Sequence, residues 1–423
     1  MSLKRRNFLR FSALAGTGII SGIGLGSSAK AGSVNALNEL KSMADEVKPI
    51  TVQERAERIA KAQRLMTANQ MSAIVLDSGT SLEYFTGISW GPSERTMVAI
   101  IPATGTVKYV CPGFEEARFR ELISIGKEVY TWQEDESPYK LITTVFAAAG
   151  ITAGTIGIEE RMRFFVMDGI RKEAPHLNYI GADAVTIPCR MIKSTAELAL
   201  MQKASDITVA AIKVGISQLK EGLAPRDLSA IITAAQGQLG GDSDFAGCLF
   251  GESSAFPHGS IHPRNLQKGD IVLMDCGCRV HGYSSDITRT IVFGDPSKRQ
   301  VEIWNLEQQA QAAGFAAAKM GAACEGVDAA ARKVITDAGF GPGYQLPGLP
   351  HRTGHGIGMD GHEWGNMVKG NKKLFEAGMC FSVEPTISIP GEFGVRLEDC
   401  AYMTADGPRW FSQPSPSISK PFV

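Results

Sequence analysis

Five side chains in the last third of this chain, Asp275, Asp286, His355, Glu384 and Glu398, have the types and spacing needed to gather metal ions. Four carboxylates with one imidazole make a hard, oxygen-rich donor set. Such a set suits Mn²⁺, or Co²⁺, Fe²⁺ or Zn²⁺, better than a thiolate zinc site would. Divalent ions held this way turn water into a nucleophile near neutral pH, so the chemistry indicated is hydrolysis.

The elements that must position these residues are two β-ribbons. Ile271 to Met274 reads as a buried strand, Val280-His281-Gly282-Tyr283 as a reversal, and Ser285 to Val292 as a returning strand rich in β-branched residues. With His281 and Gly282 as a two-residue loop, position 275 lies opposite 288. Asp286 then falls diagonally across from Asp275 on the same face, at the ~7–8 Å of such neighbours. The second ribbon is expected to run as one hairpin from Met379 to Glu398, turning at Pro390-Gly391 with Gly391 as its midpoint. Glu384 and Glu398 then face each other, and alternation puts Arg396 on the side of Glu398. Two buried carboxylates face to face repel unless a cation or a proton lies between them. His355 sits in His351-Arg352-Thr353-Gly354-His355-Gly356-Ile357-Gly358, where flanking glycines permit close backbone approach.

At these residues the chain resembles the creatinase/prolidase/methionine aminopeptidase superfamily, the pita-bread metallopeptidases of family M24. The matching segments are Phe256-Pro257-His258-Gly259, Leu273 to Gly277, Ser285 to Thr290, His351 to Gly358, His362-Glu363, Val383-Glu384-Pro385 and Gly394 to Asp399. Their order and spacing are similar to the Xaa-Pro dipeptidase (prolidase) and Xaa-Pro aminopeptidase branch, over roughly residues 50 to 420. The resemblance implies an α+β architecture, with a C-terminal pita-bread catalytic domain preceded by an α/β creatinase-type N-terminal domain. It also implies two divalent ions: Asp275 binds one, Asp286 and Glu398 bridge both, and His355 and Glu384 bind the other. A metal-bridging hydroxide would attack the scissile carbonyl of a small peptide, with Glu384 taking a proton from the water and passing it to the leaving nitrogen. His258 and His362 match the family histidines that steady the tetrahedral intermediate or substrate carbonyl, and Arg396 matches a family arginine whose planar fork suits a carboxylate. A homodimer is implied as well, with the N-terminal domain of one subunit narrowing the active site of its neighbour.

Departures from the family bear on the reaction. Creatine hydrolase of this fold lacks the metal set, and dimethylsulfoniopropionate lyases carry an additional acidic residue near the first aspartate; here Gly277 stands at that strand position and all five ligands are present. Glu363-Trp364-Gly365-Asn366 has no proline where many prolidases have one, which bears on pocket specificity. The reading is therefore a peptidase acting on Xaa-Pro bonds. The 14-residue separation of Glu384 and Glu398 resembles compact prolidases and favours dipeptides. A lyase or other small-molecule hydrolase on the same metals, and a non-catalytic binding protein, stay open as alternatives.

Composition sets the outer bounds. A chain of 423 residues with 44% hydrophobic content supports two or three domains. A formal net charge of −1 argues against a nucleic-acid partner, which would call for a basic face. Residues 1–31 read as a twin-arginine signal peptide. It comprises Lys4-Arg5-Arg6-Asn7-Phe8-Leu9-Arg10, a glycine-rich apolar run too weak for a permanent membrane span, and the small-residue cleavage site Ala29-Lys30-Ala31. That leader predicts a periplasmic or secreted protein exported after loading its metal. Residues 32–50 read as a flexible mature start, 51–188 as the N-terminal α/β domain and 189–423 as the catalytic domain, with Cys189 to Lys193 as the linker.

Thr51 with Glu54, and Ser194-Thr195-Ala196-Glu197, each predict a capping box opening a helix. Further helices are expected near 115–123, 139–149, 226–239, 298–319 and 326–338, with strands at 72–76 and 155–158 and a hairpin around Ala103-Thr104-Gly105. The eight cysteines, without a Cys-x-x-Cys pair, read as small buried hydrophobes. Cys276 and Cys278 lie at i and i+2 of one strand, too far apart for an unstrained disulfide. Among the remaining histidines, His351 reads as site-lining, His262 and His281 as turn residues, and His176 stands alone. The glycine-rich stretch 339–358 lacks the strand and helix of a phosphate cradle, and Gly251 to Ala255 lacks the last glycine of a serine-hydrolase elbow.

Overall fold

The computed structural model describes Leu37 and Glu39–Val423, so the leader assigned to residues 1–31 lies outside the described residues. Residues Leu40–Val423 form one compact unit. The start expected to be flexible is instead tied down from Leu40 onward. The Met43 amide donates to Leu239 O (2.8 Å), Glu46 pairs with Lys203 (2.6 Å), and Ile50 is buried.

The N-terminal domain is a six-stranded mixed sheet covered by helices. Its strands are β1 (Met71–Asp77), β2 (Val98–Pro102), β3 (Lys108–Pro112), β4 (Glu128–Trp132), β5 (Thr155–Ile158) and β6 (Asn178–Gly181), in the order β4-β3-β2-β1-β5-β6. β1 to β3 form the antiparallel centre, whereas β3–β4 and β1–β5–β6 pair in parallel through helical crossovers. Ala73, Val75, Ile100, Val110 and Ile156 point into one core with Phe146 and Ile170 of the covering helices. Thr51 caps the first helix, Val52–Ala68, by accepting from the Glu54 amide (3.1 Å). The reciprocal half of that box does not form, because the Glu54 carboxylate is taken by Arg58 (3.2 Å) and Ser194 (2.6 Å).

The stretch expected to be a linker is mostly helix: Asp183–Met191 is helical with Pro188 inside it, leaving Ile192 and Lys193 to cross between domains. The box at Ser194 and Glu197 is complete (3.2 and 2.7 Å) and opens the helix Thr195–Ser217. Pro225–Gln238 packs beside it.

The catalytic domain wraps these helices, together with Lys298–Ala317 and Glu325–Asp337, around a curved antiparallel sheet. One half contains β7 (Asp242–Phe250), β8 (Ile271–Val280), β9 (Tyr283–Ser284) and β10 (Ile287–Val292), with β8 central. The other contains β11 (Gly354–Gly356), β12 (Glu363–Met367), β13 (Cys380–Val383), β14 (Thr386–Ile389), β15 (Phe393–Arg396), β16 (Asp399–Thr404) and β17 (Gly407–Trp410). Five of these run β12-β11-β13-β16-β17, and β14 pairs with β15. Reciprocal amide bonds between Thr288 and Glu398 (3.2 and 3.3 Å) join the halves at the site. Ile271, Leu273, Trp304, Ile387 and Val395 pack under one side, and Val327, Phe375, Phe381 and Met403 under the other.

Candidate active site

The first ribbon has the register that its turn demands. His281 (φ 48°) and Gly282 (φ 86°) make a two-residue loop in the left-handed region, the geometry that matches strand twist. Thr288 therefore stands opposite Asp275, and Asp286 lies just beyond the start of β10. Gly277, on β8 between the two aspartates, has no room for a side chain: a Cβ there would lie 2.4 Å from Ser285 O and 2.5 Å from the Phe245 ring.

The second ribbon departs from the single hairpin expected from 379 to 398. Its register holds throughout, since Val383 pairs with Asp399 and Thr386 with Arg396, which sets Glu384 opposite Glu398. The ladder itself is interrupted there, dividing the ribbon into β13/β16 and β14/β15. Two outside groups satisfy the freed backbone: the Glu384 amide donates to Thr353 O (2.7 Å), and Glu398 exchanges bonds with Thr288.

His355 lies between β12 and β13 on a strand squeezed by both. A Cβ at Gly354 would sit 2.1 Å from Ser382 O, and one at Gly356 would sit 1.8 Å from Trp364 O, so only glycine fits on either side of the histidine. His355 Nδ1 lies 3.0 Å from Gly356 O and donates to it. This fixes the ring orientation and directs Nε2 at Glu384 Oε1 (3.1 Å) and Asp286 Oδ2 (3.6 Å), as a proton donor to them or, with a cation between, as its ligand.

The five predicted ligands converge. Asp275, Asp286 and Glu398 bring ligand atoms within 4.8 Å of one another, as do His355, Glu384 and Glu398, and as do Asp286, His355 and His362. Glu398 is common to the first two groups, Asp286 to the first and the third, and His355 to the second and the third. Asp275 Oδ1, Asp286 Oδ1 and Glu398 Oε1 are buried without hydrogen-bond partners. An orphaned buried carboxylate oxygen is costly, and three of them on side chains whose ligand atoms cluster within 4.8 Å fit the coordination of cations. Charge agrees: burial, with the Asp275 charge beside it, pushes Asp286 up to about 7. Burial, Asp286 and Glu384 push Glu398 well above the usual carboxylate range. Burial works against Glu384 and His355 too, but their mutual attraction prevails, holding Glu384 down at about 2 and lifting His355 to about 10. The residues therefore fit divalent metal ions.

The surrounding side chains form a cavity of about 580 Å³ lined by His258, His351, Arg352, His362, Asp244 and Phe245 among others. Arg352 Nη2 lies 3.2 Å from His362 Nδ1, and a guanidinium can only donate. His362 Nε2 therefore carries the proton. Burial, with His355 and Arg352 nearby, lowers His362 to about 4, so this ring is a neutral donor. His258 also lines the cavity and is exposed. His351 lines the wall, donating from Nδ1 to Arg352 O (2.7 Å) and accepting at Nε2 from Thr386 Oγ1 (3.0 Å). Arg396 is engaged by the protein on all three nitrogens, with Asp275 rather than Glu398 as its ion-pair partner: Nη2 meets Asp275 Oδ2, Nε donates to Thr288 Oγ1 (3.1 Å) and Nη1 to Pro257 O (3.3 Å). Thr288 passes the chain on to Glu398 Oε2 (2.8 Å).

Sequence reasoning missed the layer behind the ligands. Arg289, fully buried, donates to Thr288 O (3.1 Å), Glu398 O (3.0 Å) and Asp399 Oδ1 (2.7 Å). Gln311, from the helix Lys298–Ala317, reaches Asp399 Oδ2 (3.1 Å) and Val383 O (3.4 Å), the rung of β13 and β16 next to the ladder gap. His262 is exposed, His176 is exposed and remote in sequence, and His281 occupies its turn. All eight cysteines are buried and free. Gly251–Ala255 is a short 3-10 turn, and the stretch 339–353 has no regular strand or helix to cradle a phosphate.

Comparison with known proteins gives the same assignment. Residues 199–405 match metallopeptidase family M24, and residues 58–192 match the creatinase/prolidase N-terminal domain. The chain is 34% identical to an uncharacterised peptidase of Schizosaccharomyces pombe over 86% of this chain and 83% of the relative. It is 32% identical to the Xaa-Pro dipeptidase of Lactobacillus helveticus over 83% and 95%. Among solved structures, the prolidase of Thermococcus sibiricus superposes with a TM-score of 0.78 at 30% identity, covering 85% of this chain and 96% of that one. A dipeptidase of Mycobacterium ulcerans superposes with a TM-score of 0.81 at 30% identity, covering 89% and 100%. With its creatinase-type N-terminal domain, its curved catalytic sheet and a converging carboxylate–histidine donor set, the chain belongs to metallopeptidase family M24 and is a prolidase-like, metal-dependent peptidase.

Proposed function

We propose that this protein is an exported binuclear metallopeptidase that hydrolyses Xaa-Pro bonds, chiefly in dipeptides, as a homodimer. One observation carries the metal reading: Asp275, Asp286 and Glu398, whose ligand atoms cluster within 4.8 Å, each keep a buried oxygen without a hydrogen-bond partner beside His355 and Glu384. The similarity to an Xaa-Pro dipeptidase of Lactobacillus helveticus and to prolidase structures supports the substrate class. Gly277 supports peptide hydrolysis over a lyase reaction, because the acidic residue of that alternative has no space there.

Asp275, Asp286, His355, Glu384 and Glu398 would hold the two ions, Mn²⁺ by preference with Co²⁺, Zn²⁺ or Fe²⁺ as substitutes, with Asp286 and Glu398 shared. Ions so held supply Lewis acidity that brings the pKa of water from 15.7 toward ~7. Arg396 and Thr288 orient the carboxylates of Asp275 and Glu398, which keeps the donor atoms aimed inward. Glu384, whose Oε1 also accepts from Ser382 Oγ (3.2 Å), takes the proton of the attacking water. It then delivers that proton to the prolyl nitrogen, which cannot leave as an anion. The neutral His362, with its Nε2 proton directed by Arg352, and His258 hold the carbonyl oxygen as negative charge develops. The cavity accommodates a small peptide rather than a folded chain.

Among the described residues no helix is long and apolar enough to cross a membrane. The twin-arginine motif at Lys4 to Arg10 and the Ala29-Lys30-Ala31 site support export. The test is the purified mature protein with Mn²⁺ or Co²⁺ on a panel of Xaa-Pro dipeptides, longer Xaa-Pro peptides and dimethylsulfoniopropionate, with cell fractionation of the full chain. Cleavage confined to peptides without proline at the second position, or release of dimethyl sulfide, defeats the specificity assignment. Cytoplasmic retention defeats export.

A further inference from the structure

The loop that presents His362 to the cavity is not held by the catalytic sheet alone. His362 is followed by Glu363, which folds back so that Oε1 accepts from the amides of Met359 (3.1 Å) and Asp360 (3.3 Å), closing a tight loop over residues 359–363. Gly358 permits the closure, since a Cβ there would lie 2.6 Å from Glu363 Oε2 and 2.7 Å from Lys193 Cε. The loop carries two carboxylates, and both are gripped from outside the catalytic domain. Arg190 Nη2, at the end of the N-terminal domain's last helix, contacts Asp360 Oδ2 and Glu363 Oε1 at 2.6 Å each. Lys193 Nζ, in the crossing segment, meets Glu363 Oε2 at 2.7 Å. Arg190 is itself held by Ser81 Oγ (3.2 Å) and lies over the Trp364 ring at 5.1 Å. Thr80 Oγ1 (2.7 Å) and Arg161 Nη1 (3.0 Å) bind Asp360 from the same domain.

We propose that Arg190 and Lys193 are positioning residues for His362: they lock the 359–363 loop through Asp360 and Glu363, so that the N-terminal domain of the same chain sets the placement of an active-site histidine. The side chains of Arg190, Lys193 and Glu363 are each 1–2% exposed. An ordinary domain-domain contact does not require this, because burying charges is costly unless geometry and specificity demand it. Arg190 also supplies what a lysine cannot, a second nitrogen: Nη2 bridges the two carboxylates while Nη1 is anchored at Ser81 Oγ. The inference rests on the reading of His362 as the donor to the substrate carbonyl, and it extends control of that donor to residues outside the cavity.

The test is a double-mutant cycle on Xaa-Pro hydrolysis by the full metal-loaded chain, pairing Arg190→Lys with His362→Ala. Arg190→Lys keeps one buried positive charge but, shorter and without a second nitrogen, gives up the Ser81 contact that orients the bridge to Asp360 and Glu363. It is expected to lower kcat by about 10- to 100-fold, the scale of a displacement of about 1 Å, while KM and bound metal stay as in the parent. In the His362→Ala background the same substitution should cost less than about twofold, because both act through one ring. An equal loss in both backgrounds overturns the proposal. Amide exchange reads the loop without catalysis: Met359 and Asp360 should lose protection in Arg190→Lys, and unchanged protection also overturns it. If His362→Ala leaves kcat intact, the donor role of His362 falls, while the exchange result still decides whether Arg190 orders the loop. Should Arg190→Lys fail to fold, the milder Thr80→Val/Arg161→Ala pair replaces it in the cycle. The pair is expected to lose severalfold in kcat only when His362 is present, and a loss that persists without His362 overturns the proposal.

Discussion

Gly356→Ala tests whether His355 owes its position to the absence of side chains on its strand. A methyl at 356 would lie 1.8 Å from Trp364 O and 2.7 Å from its carbonyl carbon. Carbon–oxygen contacts begin near about 3.3 Å, so β11 and β12 would have to part by about 1.5 Å at that rung. β11 cannot retreat, because Gly356 also pairs with Phe381 of β13, and hydrogen-bonded strands tolerate only about 4.7–4.9 Å of spacing. Overpacking costs about 1–3 kcal/mol, and one or two lost ladder bonds add about 0.5–1.5 kcal/mol each, for a total of about 1.5–6 kcal/mol. His355 Nε2 moves with the strand, and ligand geometry is tolerant only to about 0.2 Å, so metal affinity falls as well. Urea unfolding with a metal titration measures both. Gly237→Ala serves as control: the site is an exposed helical position with nothing near its Cβ, and the change should stabilise by about 0.4–1 kcal/mol. A Gly356→Ala protein with parental midpoint and parental metal affinity would refute the packing argument.

Three further outcomes follow from the same geometry. Glu384→Ala should abolish turnover on Xaa-Pro dipeptides and leave the circular dichroism spectrum and unfolding midpoint close to the parent's; retained turnover removes this residue from the proton-transfer role. Glu307 is fully buried with neither side-chain oxygen hydrogen-bonded, and burial holds its carboxyl well above the usual carboxylate range. Its folded-state pKa is raised, so its contribution to stability is complete below about 4.3 and is lost as pH rises toward the folded value. Glu307→Gln should therefore flatten that fall in a urea series across pH, and an unchanged pH slope contradicts the assignment. Arg289→Met strips the donors from Thr288 O, Glu398 O and the buried Asp399 carboxylate. The expected cost is about 3–5 kcal/mol in urea unfolding, the scale of leaving a buried charge unpaired, and a cost below that of an ordinary surface change would show that the layer behind Glu398 does not brace it.

How far this site was legible depended on what kind of constraint set each part. The Asp275–Asp286 relation was readable because a two-residue loop at His281-Gly282 fixes register, and its positive φ values are what that loop requires. The Glu384–Glu398 opposition was readable for the same reason, from the turn at Gly391. The interruption of the ladder at that point was not, because side-chain alternation says nothing about where strands surrender hydrogen bonds to outside partners such as Thr353 and Thr288. Gln311 and Glu307 were hidden in a helix whose polar residues look solvent-facing, although both are buried under the ligand sheet. Arg190 was hidden by Pro188, which argues for a chain break in sequence and is accommodated inside a helix in the fold. Residues 40–50 carry too few apolar side chains to announce the contacts with Leu239 and Lys203 that hold them.

Asp275, Asp286, His355, Glu384 and Glu398 are proposed to hold two ions that activity requires. Metal-free protein titrated with Mn²⁺, while Xaa-Pro hydrolysis and bound metal are followed together, tests it most directly. Activity should rise to saturation as occupancy reaches two ions per chain, and Asp286→Asn, which alters the carboxylate proposed to be shared by both ions, should lose occupancy and activity together. Full hydrolysis by protein retaining no metal, or saturation of activity with Asp286→Asn indistinguishable from the parent, would contradict it.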